Sequence, residues 1–331
     1  MPHYDVFNGD ADGLCALQQL RLADLCESLL ITGVKRDIAL LDRVPVEAAT
    51  GVTVLDISLD KNRAALERLL AANVPVCYVD HHVAGKPISH PALDLHLGTL
   101  PDRGTSLLVD EMLNGRFRAW AVVGTFGDNF DQRARQAAAP LGLTDRMLES
   151  LRELGILLNY NGYGETVADL HVAPDALFRR IQPYADPFDL IAGDGIITTL
   201  REGYAADMAQ ARTCQPECAD AGHRLFILPD QTWSRRVSGV FANELAQQSP
   251  NQAHAILTRS RNGCSVVSVR APLAHPAGAD VLCRAFATGG GRQAAAGINA
   301  LPEQEIDHFV EAFLAAFETH TGGAGSVIHP L

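Results

Sequence analysis

Four short clusters in this sequence carry side chains suited to holding divalent cations. Asn8-Gly9-Asp10-Ala11-Asp12 sets two carboxylates one residue apart. Gly9 and Gly13 permit the tight backbone that can aim both at neighbouring ion positions. Asp56 stands alone after an apolar run, Asp80-His81-His82 adds two consecutive imidazoles, and Gly127-Asp128-Asn129 adds a further carboxylate. Neutral imidazole is a common transition-metal ligand. Consecutive side chains of an extended segment diverge, so one His can ligate while the other faces a substrate. An ion held by such groups can offset the charge of an anionic ester and support its hydrolysis. Taken singly, each cluster has an ordinary alternative. Asp10, Asp12 and Asp128 suit turns, and Asp56 suits a helix N-cap for which Ser58 and Asp60 compete.

The elements expected around these clusters place them together. Apolar, β-rich runs at 4–7, 29–32, 52–55, 74–79 and 119–123 read as strands. Segments at 61–72 and 105–113, and the leucines from Leu14 to Leu25, read as helices. This alternation predicts an α/β fold with a parallel, Rossmann-like sheet covered on both faces. Each of the four clusters directly follows an expected strand, and ligands of open α/β sheets bind at the carboxyl ends of strands. Residues 140–212 are rich in helix formers, most clearly at 147–158 and 198–211. The pattern breaks near Cys214-Gln215-Pro216-Glu217-Cys218. A smaller C-terminal α/β domain follows, with strands at 224–228, 253–259 and 265–269. Helices are expected near 237–248 and 302–319. The division is a metal-binding domain at 1–190, a helical linker at 191–220, a substrate-binding domain at 221–320 and a loose tail at 321–331.

In this order and at these strand ends, the clusters resemble the N-terminal motifs of the DHH phosphoesterase family. Gly104-Thr105-Ser106 resembles the small-hydroxyl stretch that follows the family's DHH motif. The run from Gly289 through Arg292 to Gly297 resembles the glycine-rich motif of the DHH-associated C-terminal domain. The resemblance spans about residues 4–318. It points to the branch of RecJ-like exonucleases and oligoribonuclease/pAp phosphatases, and away from the DHH pyrophosphatases. It implies an active site in the interdomain cleft with two divalent ions, Mn²⁺ foremost and Mg²⁺ as the alternative. Asp10 would bind one ion, Asp56 would bridge both, and Asp12, His81 and Asp128 would hold the second. His82 would sit at the substrate phosphate, Asp80 would orient a ligand imidazole, and Gly289, Gly290, Gly291 and Arg292 would anchor the substrate. The family commonly has a metal-binding His two residues before the first Asp. Asn8 stands there, a weaker and neutral ligand.

Composition limits the substrates. The 331 residues carry a formal charge of −12, which excludes a charge-driven binder of long nucleic acid. The excess is uneven: residues 224–292 hold eight Arg and three acids. Such a stretch suits anion binding, although scattered surface charge accounts for it equally well. The seven Cys, the absence of a secretory signal and the lack of a run of about 18 apolar residues place the chain in the cytoplasm, off membranes. The expected reaction is metal-dependent hydrolysis of phosphate esters in short single-stranded oligonucleotides or small nucleotides, with no long duplex as substrate and a homodimer allowed. The alternatives are a pyro- or polyphosphate hydrolase and a non-catalytic nucleotide-binding protein with a degenerate metal site. Asn159-Tyr160-Asn161-Gly162-Tyr163-Gly164 reads either as a base-stacking segment or as a loop with inward Tyr rings. Trp233, Arg235 and Arg236 read as core or surface residues ahead of nucleotide contacts.

Overall fold

The computed structural model describes residues 1–98, 100, 102–260 and 262–318. Arg261, counted above in the basic stretch, and the tail at 321–331 lie outside the described residues. The chain divides into two compact units. One comprises Met1–Ala209 with Arg235–Val237, and the other comprises Gln210–Ser234 with the chain from Ser238 onward.

In the first unit, β1 (His3–Phe7), β2 (Ser28–Ile31), β3 (Gly51–Leu55), β4 (Val76–Asp80) and β5 (Leu93–Leu97) form one sheet in the order β2-β1-β3-β4-β5. Every neighbouring pair is parallel. Helix α1 (Ala11–Ala23) follows β1, and α2 (Leu59–Ala71) follows β3. Alternation along the strands sends Phe7, Leu55 and Val79 into one core with Leu14 and Leu17 of α1. Val6, Val54 and Tyr78 enter a second core with Leu66 and Leu69 of α2. Both faces of β1, β3 and β4 are therefore covered, which explains their near-continuous apolar runs. Edge strand β5 carries Asp94 and His96 and is half-exposed, so it gives no such run and escapes sequence reading.

One expected strand is a helix. Residues 119–123 lie in α4 (Arg118–Gly127), which follows α3 (Thr105–Met112). Every residue of α4 from Trp120 to Gly127 is buried. A helix covered all round has no polar face, so its short apolar run cannot be told from a strand by periodicity. Asp128 accordingly follows a helix, not a strand. Five further helices complete the unit: α5 (Asp131–Ala138), α6 (Asp145–Gly162), α7 (Pro174–Ile181), α8 (Pro187–Gly193) and α9 (Gly195–Thr213). The Asn159 segment is no loop up to Gly162, because α6 continues through it. Tyr160 is fully buried and its hydroxyl bonds Asp207 and His171, which removes it as a base-stacking platform.

The second unit contains β6 (Cys218–Ala219), β7 (His223–Leu228), α10 (Thr232–Gln248), β8 (Ala253–Arg259), β9 (Cys264–Arg270), α11 (Ala279–Arg284), β10 (Gly289–Gly291), β11 (Ala295–Pro302) and α12 (Ile306–Ala316). Its sheet runs β10-β11-β9-β8-β7-β6. Strands β7 and β8, joined through α10, are parallel, and the other neighbours are antiparallel. Leu225, Val267, Ile298, Phe309 and Phe313 lie in its core. Among the described residues, no helix is long and apolar enough to cross a membrane.

A buried ion pair ties α1 to the first sheet. Arg21 Nη2 and Nε donate to the two oxygens of Asp5 at 2.5 and 2.9 Å, and Ser28 Oγ donates to the same carboxylate at 2.6 Å. Burial pushes the Asp5 carboxyl upward, but the Arg21 and His3 hydrogen bonds outweigh it and hold the group at about 2. Arg21→Met leaves this carboxylate buried and unpaired, at an expected cost of about 3–5 kcal/mol. The wild-type contribution is fully present above the ordinary value of 3.8 and is lost as pH falls through about 2. Urea unfolding should therefore show a deficit in the variant that narrows as pH drops from 4 towards 2. A deficit that does not change with pH would assign the loss to packing alone.

Candidate metal centre

The carboxyl ends of β1, β3 and β4 are stitched together beyond the strands. Asn8 N donates to Leu55 O at 3.2 Å and Asp56 N to Val79 O at 3.1 Å. The Asn8 to Asp12 turn, Asp56 and Asp80-His81-His82 thus lie side by side on one sheet edge. This is the position where doubly wound sheets of order 2-1-3-4-5 bind ligands. Asp56 has a φ of +58°. A left-handed non-glycine residue costs roughly 1–3 kcal/mol and persists where its surroundings demand it.

The ring of His81 is the focus of the site. Its Nε2 lies 3.3 Å from Asp56 Oδ1, 3.7 Å from Asp128 Oδ2 and 4.0 Å from Asp12 Oδ2. Two ligands each about 2.1 Å from one ion stand roughly 3–4 Å apart. Among the described residues, two sets of side chains meet the spacing of a metal site: Asp12, His81 and Asp128, and Asp56, His81 and His82. Asp128 is the C-cap of α4, where the negative end of the helix dipole adds to its pull on a cation.

The remaining groups hold these side chains in place. Asp12 accepts from Thr105 N at 2.6 Å and Ser106 N at 2.9 Å, in the first turn of α3. Thr105 Oγ1 donates to Asp56 Oδ1 at 3.0 Å. The small residues of Gly104-Thr105-Ser106 therefore position two of the carboxylates. A Cβ at Gly104 would stand 2.7 Å from Asp12 Oδ2 and 2.9 Å from Oδ1. Gly104→Ala is expected to displace Asp12 and weaken Mn²⁺ binding by about 10–100-fold while the far-ultraviolet dichroism is kept. Calorimetric titration with Mn²⁺ measures this, and unchanged affinity would remove Asp12 from the ion site.

Asp80 is fully buried and accepts from Leu59 N at 3.3 Å through Oδ2. Its Oδ1 lies 2.7 Å from His82 Nδ1, so the imidazole it orients is that of His82. A carboxylate only accepts, so the ring proton of His82 belongs on Nδ1 and Nε2 is left for other work. The His82 side chain is 42% exposed, against 4% for His81.

Asp10 is held differently. Its Oδ1 caps α1, accepting from Asp12 N and Gly13 N, both at 3.1 Å, and its Oδ2 bonds the ammonium of Lys35. Asp10 belongs to neither set that meets the spacing of a metal site. Lys35 Nζ also donates to Asn159 Oδ1 at 2.9 Å and Asp128 Oδ1 at 3.1 Å. Asn8 is buried, and its Oδ1 has no hydrogen-bond partner.

The electrostatics fit a divalent ion. Burial, together with neighbouring carboxylates, pushes the carboxyls of Asp12 and Asp56 upward. Burial alone would lower His81, but Asp56, Asp12 and Asp128 raise it to about 10. Asp10, Asp12, Asp56 and Asp128 outnumber the cationic groups beside them, the Lys35 ammonium and the raised His81 imidazole, and a dication relieves this excess of acid.

Lys35 is the group at this site that sequence reading missed. It follows β2 in a segment with no metal-ligand pattern. One signal was available: the chain has three Lys against 24 Arg, so a Lys is a marked choice here.

In the second unit, Gly289–Gly291 forms an edge strand paired with β11, and Arg292 N and Ala295 N close the hairpin. A Cβ at Gly289 would meet Cys283 O at 1.6 Å, and Gly291 has a φ of +138°. Backbone packing thus requires at least two of these glycines. Arg235 pairs with Asp169, and Arg236 with Asp207, so both guanidinium groups have structural partners.

Superposition on solved structures gives the class: this is the fold of the DHH-domain proteins. A DHH domain from a member of a family of ribosomal proteins matches at a TM-score of 0.66 and 15% identity, covering 95% of this chain and 86% of that one. Exonuclease RecJ bound to manganese matches at 0.62 and 21%, covering 95% and 89%. The pGpG-specific phosphodiesterase PggH from Vibrio cholerae matches at 0.51 and 12%, covering 95% and 98%. No protein-family model and no curated protein matches the sequence.

Proposed function

We propose that this chain is a divalent-metal-dependent phosphoesterase that hydrolyses phosphate esters in short oligonucleotides or small nucleotides. The observation that carries this reading is the convergence of Asp12, Asp56 and Asp128 on His81 Nε2. The manganese-bound exonuclease and the phosphodiesterase that share the fold support phosphodiester chemistry and Mn²⁺. Mg²⁺ suits the same oxygen-rich ligands.

A divalent ion bound by these residues supplies polarisation of a phosphoryl oxygen and a water that is nucleophilic at neutral pH. Asp12, Asp56, His81 and Asp128 would hold the ion. The first turn of α3 fixes Asp12, and Thr105 fixes Asp56. His82, tied to Asp80 through Nδ1, turns its Nε2 to the phosphate, where it orients the ester and exchanges a proton. Gly289, Gly290, Gly291 and Arg292 hold the substrate away from the scissile bond, with the Arg292 guanidinium as a phosphate fork. The net charge of −12 keeps the preferred substrate short. The seven free thiols suit a cytoplasmic setting.

A substrate panel tests this. Purified protein with Mn²⁺ or Mg²⁺ is assayed against pAp, dinucleotides, short RNA, short DNA and inorganic polyphosphate. Release of phosphate or mononucleotide from a nucleotide substrate is expected. Cleavage of none of them contradicts the enzyme reading, and cleavage of polyphosphate alone replaces it with phosphoanhydride hydrolysis.

A further inference from the structure

We infer that the ammonium of Lys35 permanently takes the place of one of the two expected cations, so that the centre binds a single divalent ion. The inference rests on the metal-dependent reading above and concerns how many ions that site takes.

The geometry around Asp10 supports it. Both Asp10 oxygens are engaged, one by two backbone N–H groups at the start of α1 and the other by Lys35 Nζ. Lys35 Nζ has three oxygen partners, on Asp10, Asp128 and Asn159, from three separate elements. This is the arrangement a small cation would adopt. A Lys ammonium is a compact point charge with three donors, whereas the planar fork of Arg would not fit such a focus. The main chain is fixed as well. Lys35 N donates to Gly162 O at 2.8 Å, and Asn8 Nδ2 donates to Lys35 O at 3.4 Å. Lys35 is therefore built into the floor of the site.

Two ligand sets remain once Asp10 is set aside, and both include His81. They share the His81 imidazole, which in its neutral form offers one ring nitrogen as a ligand, so an ion seated on one set denies that ligand to the other. An additional dication at Asp10 would have to share that carboxylate with an ammonium, and like charges at such a distance repel strongly in a buried site. Asn8 Oδ1 is buried without a hydrogen-bond partner, while its Nδ2 bonds the Lys35 carbonyl, so this amide lies beside the Lys35 backbone.

The experiment counts metal in the full chain. Wild type and Lys35→Gln are equilibrated with Mn²⁺, desalted and assayed by elemental analysis. Electron paramagnetic resonance reports exchange coupling between paired ions. One uncoupled Mn²⁺ is expected in wild type, with a rise to two coupled ions in Lys35→Gln. Asn8→His combined with Lys35→Ala serves as a second variant, in which an added imidazole should strengthen the second site. Two coupled ions in wild type overturn the inference while leaving the metal-dependent reading intact. One ion in wild type and in both folded variants also overturns it, because the ammonium is then not what excludes the second ion. No bound ion in wild type overturns the metal-dependent reading itself. Either folded variant suffices for the comparison, so the test survives the failure of the other to fold.

Discussion

Asp56→Asn is expected to abolish the proposed hydrolysis, lowering turnover by at least about 10³-fold, which corresponds to about 4 kcal/mol of barrier. Asp56 lies 3.3 Å from His81 Nε2 and accepts the hydroxyl of Thr105, at a backbone position that most side chains avoid. An amide keeps the size and the Thr105 hydrogen bond but removes the charge that holds a dication. Loss of Mn²⁺ affinity should accompany the loss of rate, with the melting temperature kept or raised, because one buried carboxylate is relieved. An Asp56→Asn protein that still turns over at the wild-type rate would remove the metal centre from the mechanism.

His82→Asn has the second-largest expected effect, a loss of about 10²–10⁴-fold in kcat, the range for removal of a positioned acid or base. The proposed ion ligands Asp12, Asp56, His81 and Asp128 stay in place, so Mn²⁺ affinity should change little, which separates this variant from Asp56→Asn. Asp80→Asn tests the same group at one remove. The carboxylate demands a proton on His82 Nδ1, whereas an amide can donate to that nitrogen and move the proton to Nε2. The expected result is a fall of about 10–100-fold in kcat with an altered pH profile and little change in KM. Equal losses of Mn²⁺ affinity in both variants would instead make His82 an ion ligand. That alternative is chemically real, since His82 satisfies the ligand spacing with Asp56 and His81.

Much of the scaffold was legible because buried parallel strands announce themselves. The apolar runs of β3 and β4 stop at Asp56 and Asp80, and the acid marks the carboxyl end of the strand, whereas β1 runs into the Asn8-Gly9-Asp10 turn. Asp128 follows a helix where the sequence predicts a strand, since α4 is apolar on every side. Edge strand β5, with Asp94 and His96, carries no pattern that separates it from a loop. Asp10 and Lys35 illustrate a different limit. An Asp before a helix suits a cap, a turn and an ion equally well, and its partner lies 25 residues away in the loop after β2. The order β2-β1-β3 brings that loop to the site, and strand order is a long-range property that local spacing does not encode. The glycines at Gly289 and Gly291 show the same point. The packing of Gly289 against Cys283 O and the left-handed backbone of Gly291 become visible once β10 is paired with β11.

If Asp12, Asp56, His81 and Asp128 enclose a divalent ion, crystals equilibrated with Mn²⁺ will reveal it directly. The measurement is an anomalous difference map recorded at the manganese edge. A peak is expected within about 2.0–2.3 Å of His81 Nε2 and of carboxylate oxygens from this set. A map with no peak at His81, from crystals of protein that hydrolyses nucleotides with Mn²⁺, would contradict the proposed centre.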